Sequence, residues 1–261
     1  MDDSVSAIIP CRDGAADLAG AVDSLRRQQV PGLEIVIVDD ASRDDSAAVA
    51  AALAAGDPAI RLIRLPQNRG PAAARNAGLR AARGTLVCFL DVDDRYAPRA
   101  LARLRPALAA RPRDAGIVMG VALVDCPVPV HPLQLDAVVA SLPGNLLARR
   151  AAVEAVGGFP EDPAFRGPAA GEDLAFRRAL ARWFGLGYAP EPLYRHRARP
   201  GGHLLRFLER SRVADGRLVV DSGAEGAALA AALARHAAEV ERILGNPAGL
   251  RADPGRGEES R

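Results

Sequence analysis

The first ninety residues alternate short apolar runs with segments of helical spacing, and this alternation constrains the fold most strongly. Apolar runs lie at 5–10, 34–38, 60–65 and 86–90, and the intervening helices are predicted at 15–29, 44–55 and 71–82. Strands that alternate with helices usually pair in parallel, because each helix carries the chain back over the sheet. We therefore predict an α/β fold with a mostly parallel central sheet flanked by helices. These segments contain neither a dinucleotide fingerprint nor a P-loop.

An acidic cluster, Asp91-Val92-Asp93-Asp94, follows the last of these apolar runs. The carboxyl end of a parallel strand is the sheet edge at which open α/β folds bind ligands. Strand alternation would point Asp91 and Asp93 the same way, and crowded like charges are costly without a cation. Mg²⁺ and Mn²⁺ prefer carboxylate oxygens and usually share them with phosphate. The cluster predicts either a divalent metal site or a solvated acidic turn that caps the next helix.

The composition is that of a globular protein. Its 261 residues are 49% hydrophobic and carry a formal net charge of +2, which gives no general argument for nucleic-acid binding. All 34 basic residues are Arg, so arginine content alone is weak evidence for phosphate binding. Cys11, Cys88 and Cys126 are too scattered for a disulfide framework or a zinc site. With no signal peptide or membrane-spanning apolar run evident, we expect a cytoplasmic protein.

The second half is less regular. We predict strands at 117–124 and 145–148 and helices at 150–156, 171–184 and 224–244. Prolines interrupt residues 125–143, which are predicted to form a loop with at most one short helix. The polar tail at 249–261 contains Gly and Pro and is predicted to be disordered.

Five segments, in this order, resemble motifs of the family 2 glycosyltransferases, which have the Rossmann-like GT-A fold. They are the opening strand and loop at 7–13, a D-D-x-S-x-D segment at 39–44, an N-x-G-x-x-x-A-R-N-x-G helix at 68–78, a D-x-D-D motif at 91–94, and the G-G-F and E-D pair at 157–159 and 172–173. Each motif alone is weak, but five in order with sensible spacing are specific. The resemblance covers roughly residues 5–198.

The resemblance implies a domain organisation. A GT-A domain would span residues 1–200, with a nucleotide-binding half at about 1–98 and an acceptor-binding half at about 99–200. A helical C-terminal extension at 201–248 would follow it.

The resemblance further implies that the first half binds a nucleotide-diphospho-sugar, with a UDP-sugar favoured. Asp40 is similar to the residue that accepts from the base imide, and Asp39 would support that loop. Asp91 would lie near the ribose. Arg75 would face the nucleotide or diphosphate through its bidentate fork, although a solvated helix arginine is an equal alternative in so Arg-rich a chain. The remaining donor-binding candidates are Pro10, Arg12 and Val92.

The cofactor implied by the resemblance is Mn²⁺ or Mg²⁺. Asp93 would hold the ion with Asp94 beside it, and His196 is a further candidate ligand. The ion would act as a Lewis acid on the diphosphate. A surface histidine within an Arg cluster explains His196 equally well. Arg12 stands where the family usually has an aromatic residue that packs on the base, so the base preference stays open.

On the acceptor side, the resemblance implies that Asp173 is the general base of an inverting transfer. Such a base removes the acceptor hydroxyl proton as the oxygen attacks the anomeric carbon in line. Glu172 would orient the loop or the acceptor. Alternatively, Glu172 and Asp173 could simply be acidic residues in the first turn of a helix, where they interact favourably with the helix dipole and have no catalytic role. Their position after Gly157-Gly158-Phe159 favours the catalytic interpretation.

Other functions stay open. A sugar-phosphate nucleotidyltransferase shares the fold class and also binds a metal ion through acidic residues. Residues 10–15, however, are a poor match to its Gly-rich basic loop. A catalytically inactive binding domain should have lost at least one of Asp40, Asp93 and Asp173. A glycosidase requires neither the metal cluster nor the nucleotide loop.

The segment 203–244 suggests further partners. Its first part reads as a basic amphipathic helix, with Leu204, Leu205, Phe207 and Leu208 among arginines. Such a helix could lie on an anionic membrane surface, pack on the catalytic domain or pair with a second subunit. The Ala-rich helix that follows favours packing or a homodimer over peripheral membrane contact. The hydroxyl acceptor stays open, whether glycan, lipid-linked or small molecule.

Overall fold

An eight-stranded sheet forms the centre of the molecule in a computed structural model that describes residues 3–166, 171–221, 223 and 226–245. The strands are β1 (Val5–Cys11), β2 (Glu34–Asp39), β3 (Ile60–Arg64), β4 (Leu86–Phe89), β5 (Arg95–Tyr96), β6 (Asp114–Val124), β7 (Leu146–Arg149) and β8 (Gly185–Arg197). Their order across the sheet is β3-β2-β1-β4-β7-β6-β8-β5. The first four strands pair in parallel, as β6 and β8 do, while β7 and β5 run antiparallel to their neighbours.

Helices cover both faces of this sheet. They are α1 (Ala15–Arg26), α2 (Ser46–Gly56), α3 (Pro71–Ala81), α4 (Ala100–Ala109), α5 (Pro132–Ser141), α6 (Arg150–Ala155), α7 (Glu172–Trp183), α8 (His203–Arg210) and α9 (Gly226–Leu244). A 3-10 turn occupies Pro163–Arg166. Strand alternation divides the core into two, because successive side chains point to opposite faces. Ile9 packs with residues of α1 and α4, whereas Ile8 packs with residues of α3 and α7.

Helix α3 approaches β1 closely because Gly78 has no side chain. A Cβ at Gly78 would lie 2.3 Å from Cγ2 of Ile8, which is fully buried. Ile8 is β-branched and packed on all sides, so it has little freedom to move away. The glycine of the A-R-N-x-G motif thus seats the helix that carries Arg75 against the sheet.

The predicted strands and helices of the first ninety residues are confirmed, with ends that differ by a few residues. The argument from strand alternation was wrong for the acidic cluster, because β4 ends at Phe89. Asp91-Val92-Asp93-Asp94 instead forms a turn, in which the Asp94 amide donates to the carbonyl oxygen of Asp91 at 2.9 Å. The prediction of at most one short helix within residues 125–143 is confirmed by α5.

The C-terminal extension is not purely helical, which corrects the prediction for 201–248. Between α8 and α9 lies an antiparallel hairpin of β9 (Ser211–Ala214) and β10 (Arg217–Val220). Asp215 and Gly216, both with positive φ, form its two-residue turn. The tail at 249–261 lies outside the described residues. Among the helices that are described, none combines the length and apolarity needed to cross a bilayer.

Replacing Gly78 with Ala should destabilise the fold even though Ala is the better helix former. We expect the free energy of unfolding to fall by about 1–3 kcal/mol, because the new methyl group overpacks a full core. The matched control is Gly56→Ala in α2, where a Cβ meets nothing within 4 Å. That variant should stay within about 0.5 kcal/mol of wild type. Urea unfolding measures both, and equal stability of the two variants would contradict the close approach.

Candidate active site

The loops that follow β1, β2 and β4 meet at the carboxyl edge of the sheet. Strands β2 and β3 lie on one side of β1, and β4 lies on the other. The strand order therefore changes direction at β1. Open α/β sheets form a ligand crevice at such a switch point. The predicted donor-side residues from Pro10 to Asp94 lie at the ends of these strands, on the loops that follow them and on the neighbouring helix α3.

Asp39 and Asp40 organise the loop after β2. The Asp40 carboxylate is 3% exposed and accepts from the backbone N–H groups of Arg69, at 2.7 Å, and Gly70, at 2.8 Å. Asp39 is also buried, and its Oδ1 accepts from the Ser42 amide at 3.1 Å. Both oxygens of Asp40 therefore bind the chain itself, and its predicted contact with a base imide stays a prediction.

Arg12 closes the same loop from the side of β1. Its Nη1 donates to the carbonyl oxygens of Asp40, at 2.7 Å, and Ala41, at 3.1 Å. The Arg12 guanidinium thus holds the loops after β1 and β2 together. It does so at the position where the family usually has an aromatic residue. Pro10 is half-buried and is the next-to-last residue of β1. Val92 packs against the loop at Gly14, where a Cβ would lie 2.8 Å from Val92 Cγ1.

Arg75 joins the donor-side and acceptor-side motifs. It lies on α3 and is 3% exposed, so the alternative of a solvated arginine was wrong. Its Nη2 donates to Asp91 Oδ1 at 2.8 Å, and its Nη1 donates to Asp173 Oδ1 at 2.7 Å. Glu172 Oε1 lies 3.8 Å from Nη1. The guanidinium is also 5.3 Å from the ring centroid of Phe159. One buried cation therefore faces three carboxylates from two separate parts of the chain.

The electrostatics of this cluster favour a protonatable Asp173. Burial raises the pKa of the Asp173 carboxyl, the nearby Arg75 lowers it, and the charges of Glu172 and Asp91 raise it again, so that the pKa lies well above its ordinary value. Burial lowers the pKa of Arg75, but the surrounding carboxylates outweigh this effect and raise it. Glu172 is 7% exposed, and its Oε2 accepts from the Gly171 amide at 3.1 Å.

Asn76, next to Arg75, fixes the Gly-Gly-Phe segment to α3. Its Nδ2 donates to the carbonyl oxygen of Phe159 at 2.8 Å, and its Oδ1 accepts from the Phe159 amide at 2.9 Å. Gly158 has a φ of +72°, and a Cβ there would lie 2.5 Å from Asn76 Oδ1. The Phe159 ring stacks on Phe176 of α7 with centroids 4.1 Å apart. These contacts position the helix that carries Glu172 and Asp173.

Asp94 ties the acidic turn to β8. Its carboxylate is fully buried and accepts from the Tyr194 hydroxyl at 2.5 Å and from the Arg197 amide at 2.9 Å. His196 Nδ1 lies 2.8 Å from the same carboxylate. Burial opposes charge on the imidazole, but the hydrogen bond and charge of Asp94 raise the pKa of His196 above its ordinary value. Asp94 thus orients His196, while both Asp94 oxygens are engaged with the protein.

Asp93 forms an ion pair with an arginine that was not predicted. Arg199 Nε lies 2.8 Å from Asp93 Oδ2, and its Nη2 binds Asp17 of α1. Burial and the charges of Asp94 and Asp91 raise the pKa of Asp93 to about 6, although Arg199 lowers it. The carboxylate therefore lies where added positive charge is favourable.

The predicted metal ligands fit a divalent ion in their chemistry. Asp93 offers carboxylate oxygen, and His196 is held by Asp94 through Nδ1, the arrangement that commonly orients a metal-binding imidazole. Within the described residues, no three acidic, His or Cys side chains already form a metal cage. Mg²⁺ is commonly bound by one or two carboxylates together with substrate phosphate and water. Asp93 would supply such a carboxylate and His196 would add a ring nitrogen, whereas Asp94 fits an orienting role.

The predicted site residues fall into two neighbouring groups. The first group, Arg12, Asp39 and Asp40, organises the loops after β1 and β2. The second group surrounds Arg75 and the acidic turn, and its members are Arg75, Asp91, Asp93, Asp94, Glu172, Asp173 and His196. Sequence reasoning missed Asp17, Tyr194 and Arg199. Tyr194 and Arg199 lie within three residues of the predicted ligand His196, whereas α1 gave no signal for Asp17.

The comparisons with known proteins agree with this geometry. Residues 6–133 match the model of glycosyl transferase family 2, and over this region the chain belongs to that family. The chain is 41% identical over 100 residues to the succinoglycan biosynthesis protein ExoO of Rhizobium meliloti (strain 1021), a match that covers 38% of this chain and 28% of ExoO. It is 40% identical over 90 residues to the uncharacterized glycosyltransferase EpsJ of Bacillus subtilis (strain 168), covering 34% and 26%. The matches thus span less than a third of these relatives.

Solved structures share the fold over a longer stretch. S. aureus TarS 1–349 in complex with UDP-GlcNAc superposes with a TM-score of 0.64 and 19% identity, covering 96% of this chain and 76% of that chain. The mannosyltransferase PcManGT from Pyrobaculum calidifontis, in complex with GDP-Man and Mn²⁺, gives a TM-score of 0.59 and 21% identity, covering 94% and 77%. The GT-A fold expected from the sequence is confirmed.

Asp94→Asn should destabilise the protein in a pH-dependent way. We expect a loss of about 1–3 kcal/mol, because an amide cannot satisfy the buried donors that now meet the carboxylate. The raised pKa of His196 contributes stability that is present below about pH 6.5, the ordinary value, and is lost as the pH rises through the folded value. The variant lacks this contribution, so its deficit should be larger at pH 6 than at pH 9.

Urea unfolding of both proteins at the two pH values measures this deficit. The matched control is Asp125→Asn, which removes a 60% exposed carboxylate that pairs with Arg197. Its effect should be below about 1 kcal/mol. A deficit for Asp94→Asn that is as small as the control, or independent of pH, would refute the role of Asp94.

Proposed function

We propose that the protein is a metal-dependent, inverting glycosyltransferase that moves a sugar from a nucleotide-diphospho-sugar to an acceptor hydroxyl. The observation that carries this proposal is Arg75, which contacts Asp91 of the donor-side motif and Asp173 of the acceptor-side motif at once. The family match over residues 6–133 supports the same activity. A UDP-sugar is the favoured donor, since TarS, which shares the fold, is complexed with UDP-GlcNAc.

Asp173 acts as the general base in this proposal. It takes the proton of the acceptor hydroxyl as that oxygen forms a bond to the anomeric carbon. The bond from the anomeric carbon to the diphosphate oxygen breaks, and its electron pair leaves with the nucleoside diphosphate. The raised pKa of Asp173 makes its carboxylate a stronger base for the hydroxyl proton than an ordinary aspartate. Glu172, bound to the Gly171 amide, orients the loop at the start of α7.

Arg75 and the first half of the chain bind the donor. The Arg75 guanidinium holds Asp91 at the ribose side and keeps Asp173 close by. The loop built by Arg12, Asp39 and Asp40 receives the nucleotide base, with Pro10 and Val92 beside it. Asp93 and His196 would hold Mn²⁺ or Mg²⁺, with Asp94 orienting His196 through its Nδ1. When bound, the ion supplies Lewis-acid stabilisation of charge on the diphosphate leaving group. The Mn²⁺ complex of PcManGT supports that choice of ion.

The biological setting follows from the relatives as a proposal. ExoO is a succinoglycan biosynthesis protein, so we propose a role in polysaccharide synthesis. The cytoplasmic location, with or without peripheral contact at the membrane, stays a prediction, as does a homodimer. Helix α9 packs on α7 through buried Ala232 and Val240, which supports packing on the catalytic domain rather than on a membrane.

A divalent ion should strengthen donor binding through Asp93. We expect UDP to bind wild type at least about tenfold more tightly with Mn²⁺ than without it, because the acidic turn otherwise repels the diphosphate. In Asp93→Ala this gain should disappear, while the control Asp23→Ala, on the exposed side of α1, should keep it. Isothermal calorimetry measures all the affinities. Equal affinity in every titration would contradict the metal role. A separate thermal-shift panel of nucleotide sugars identifies the nucleotide base of the donor.

Asp173→Asn should keep donor binding and lose transfer. The amide cannot accept the hydroxyl proton, and loss of a general base typically lowers the rate by about 10² to 10⁴. Calorimetry with UDP and a transfer assay with the donor found in the panel measure the two properties. Asp162→Asn, in the same half of the chain, is the matched control and should transfer at the wild-type rate. Near wild-type turnover of Asp173→Asn would exclude it as the base.

A further inference from the structure

We propose that Arg199 is a resident counter-ion of Asp93 and that a divalent ion binds there only when Arg199 leaves. The inference rests on the proposed function, which assigns the metal to Asp93. It adds a residue that tunes the affinity for the metal and lies outside the five sequence motifs.

The ion pair itself carries the proposal. Arg199 Nε lies 2.8 Å from Asp93 Oδ2, which is hydrogen-bonding distance between full charges. The two side chains are 38% and 24% exposed, so both are partly shielded from water at the mouth of the site. Other arginines that face the acidic turn do so differently, since Arg75 pairs with Asp91 and Arg95 donates to the carbonyl oxygens of Val92 and Asp94.

A metal ion and Arg199 cannot share this carboxylate without strain. Mg²⁺ lies about 2.1 Å from a carboxylate oxygen, so an ion on Asp93 would face the guanidinium at a distance of a few ångströms. Two cations at that separation repel strongly where water is partly excluded. The guanidinium also occupies one of the Oδ2 lone pairs that a metal could use. Binding of one therefore requires displacement of the other.

Asp17 gives the displaced arginine a second partner. The Arg199 Nη2 atom already binds Asp17 Oδ2, and Asp17 also pairs with Arg197. A guanidinium that releases Asp93 therefore stays paired on α1 rather than unpaired. It also stays near the acidic turn, where it adds positive charge beside the position proposed for the diphosphate.

The direct test is the affinity of the full chain for Mn²⁺ alone, measured from the electron paramagnetic resonance signal of free Mn²⁺. Arg199→Met removes the competing charge and keeps the aliphatic stem. Arg197→Met is the matched control, because Arg197 pairs with Asp17 and Asp125 and carries the same charge two residues away. We expect Arg199→Met to bind Mn²⁺ about tenfold more tightly than wild type and Arg197→Met to change less than about threefold.

Two further variants keep the test decisive. Arg199→Lys restores a cation and should return the Mn²⁺ affinity towards the wild-type value. Asp93→Asn in the Arg199→Met background should abolish the gain. Unchanged or weaker Mn²⁺ binding by Arg199→Met, or an equal gain in Arg197→Met, would overturn the proposal. Failure of the proposed function is distinguishable, since it would appear as absence of binding of every nucleotide sugar, whatever the Mn²⁺ titrations give. Urea unfolding confirms that each variant is folded.

Discussion

The buried guanidinium of Arg75 is the interaction on which the rest of the site depends. It brings Asp91, from the turn after β4, and Asp173, from the start of α7, to the same cation, although 82 residues separate them in sequence. A buried arginine is tolerated because carboxylates surround it, and each carboxylate is tolerated because the arginine is present. Gly78, which lets α3 approach β1, and Asn76, which holds Phe159, place this cation between the two halves.

The same principle organises the acidic turn. Each of its three aspartates has a separate positive or hydrogen-bonding partner, with Arg75 on Asp91, Arg199 on Asp93, and Tyr194, His196 and the Arg197 amide on Asp94. These contacts inside the protein stabilise the crowded carboxylates, and they engage oxygens that a metal would also use. Under the proposed function, a donor and its ion would compete with these contacts inside the protein. This competition makes the acidic turn a site of adjustable charge rather than a rigid cage.

The sequence predicts the local and periodic parts of this structure and misses the parts that depend on distant contacts. The apolar runs predicted β1 to β4, because strands buried on both faces are continuous and apolar. Strand β8 escaped prediction, since its bulged pairing with β6 and its Gly and Pro residues remove the alternation that marks a strand. The hairpin β9–β10 was missed although Asp215-Gly216 is a turn signal.

Motif resemblance identified Arg75 and Asp173, but their contact could not be predicted, because it depends on how α3 and α7 pack. Arg199 was hidden among many arginines, and only its distance to Asp93 distinguishes it.

A double-mutant cycle between Arg75 and Asp173 measures the central interaction most directly. Urea unfolding of wild type, Arg75→Met, Asp173→Asn and the double variant gives the coupling free energy of the pair. We predict a coupling of about 1.5 kcal/mol or more, because Arg75 stabilises Asp173 only while that group is a carboxylate. Arg103→Met with Glu191→Gln, an exposed pair at 3.5 Å, gives the baseline for a surface ion pair. Additivity of the Arg75 and Asp173 effects within about 0.5 kcal/mol would contradict the claim that this ion pair joins the two halves of the site.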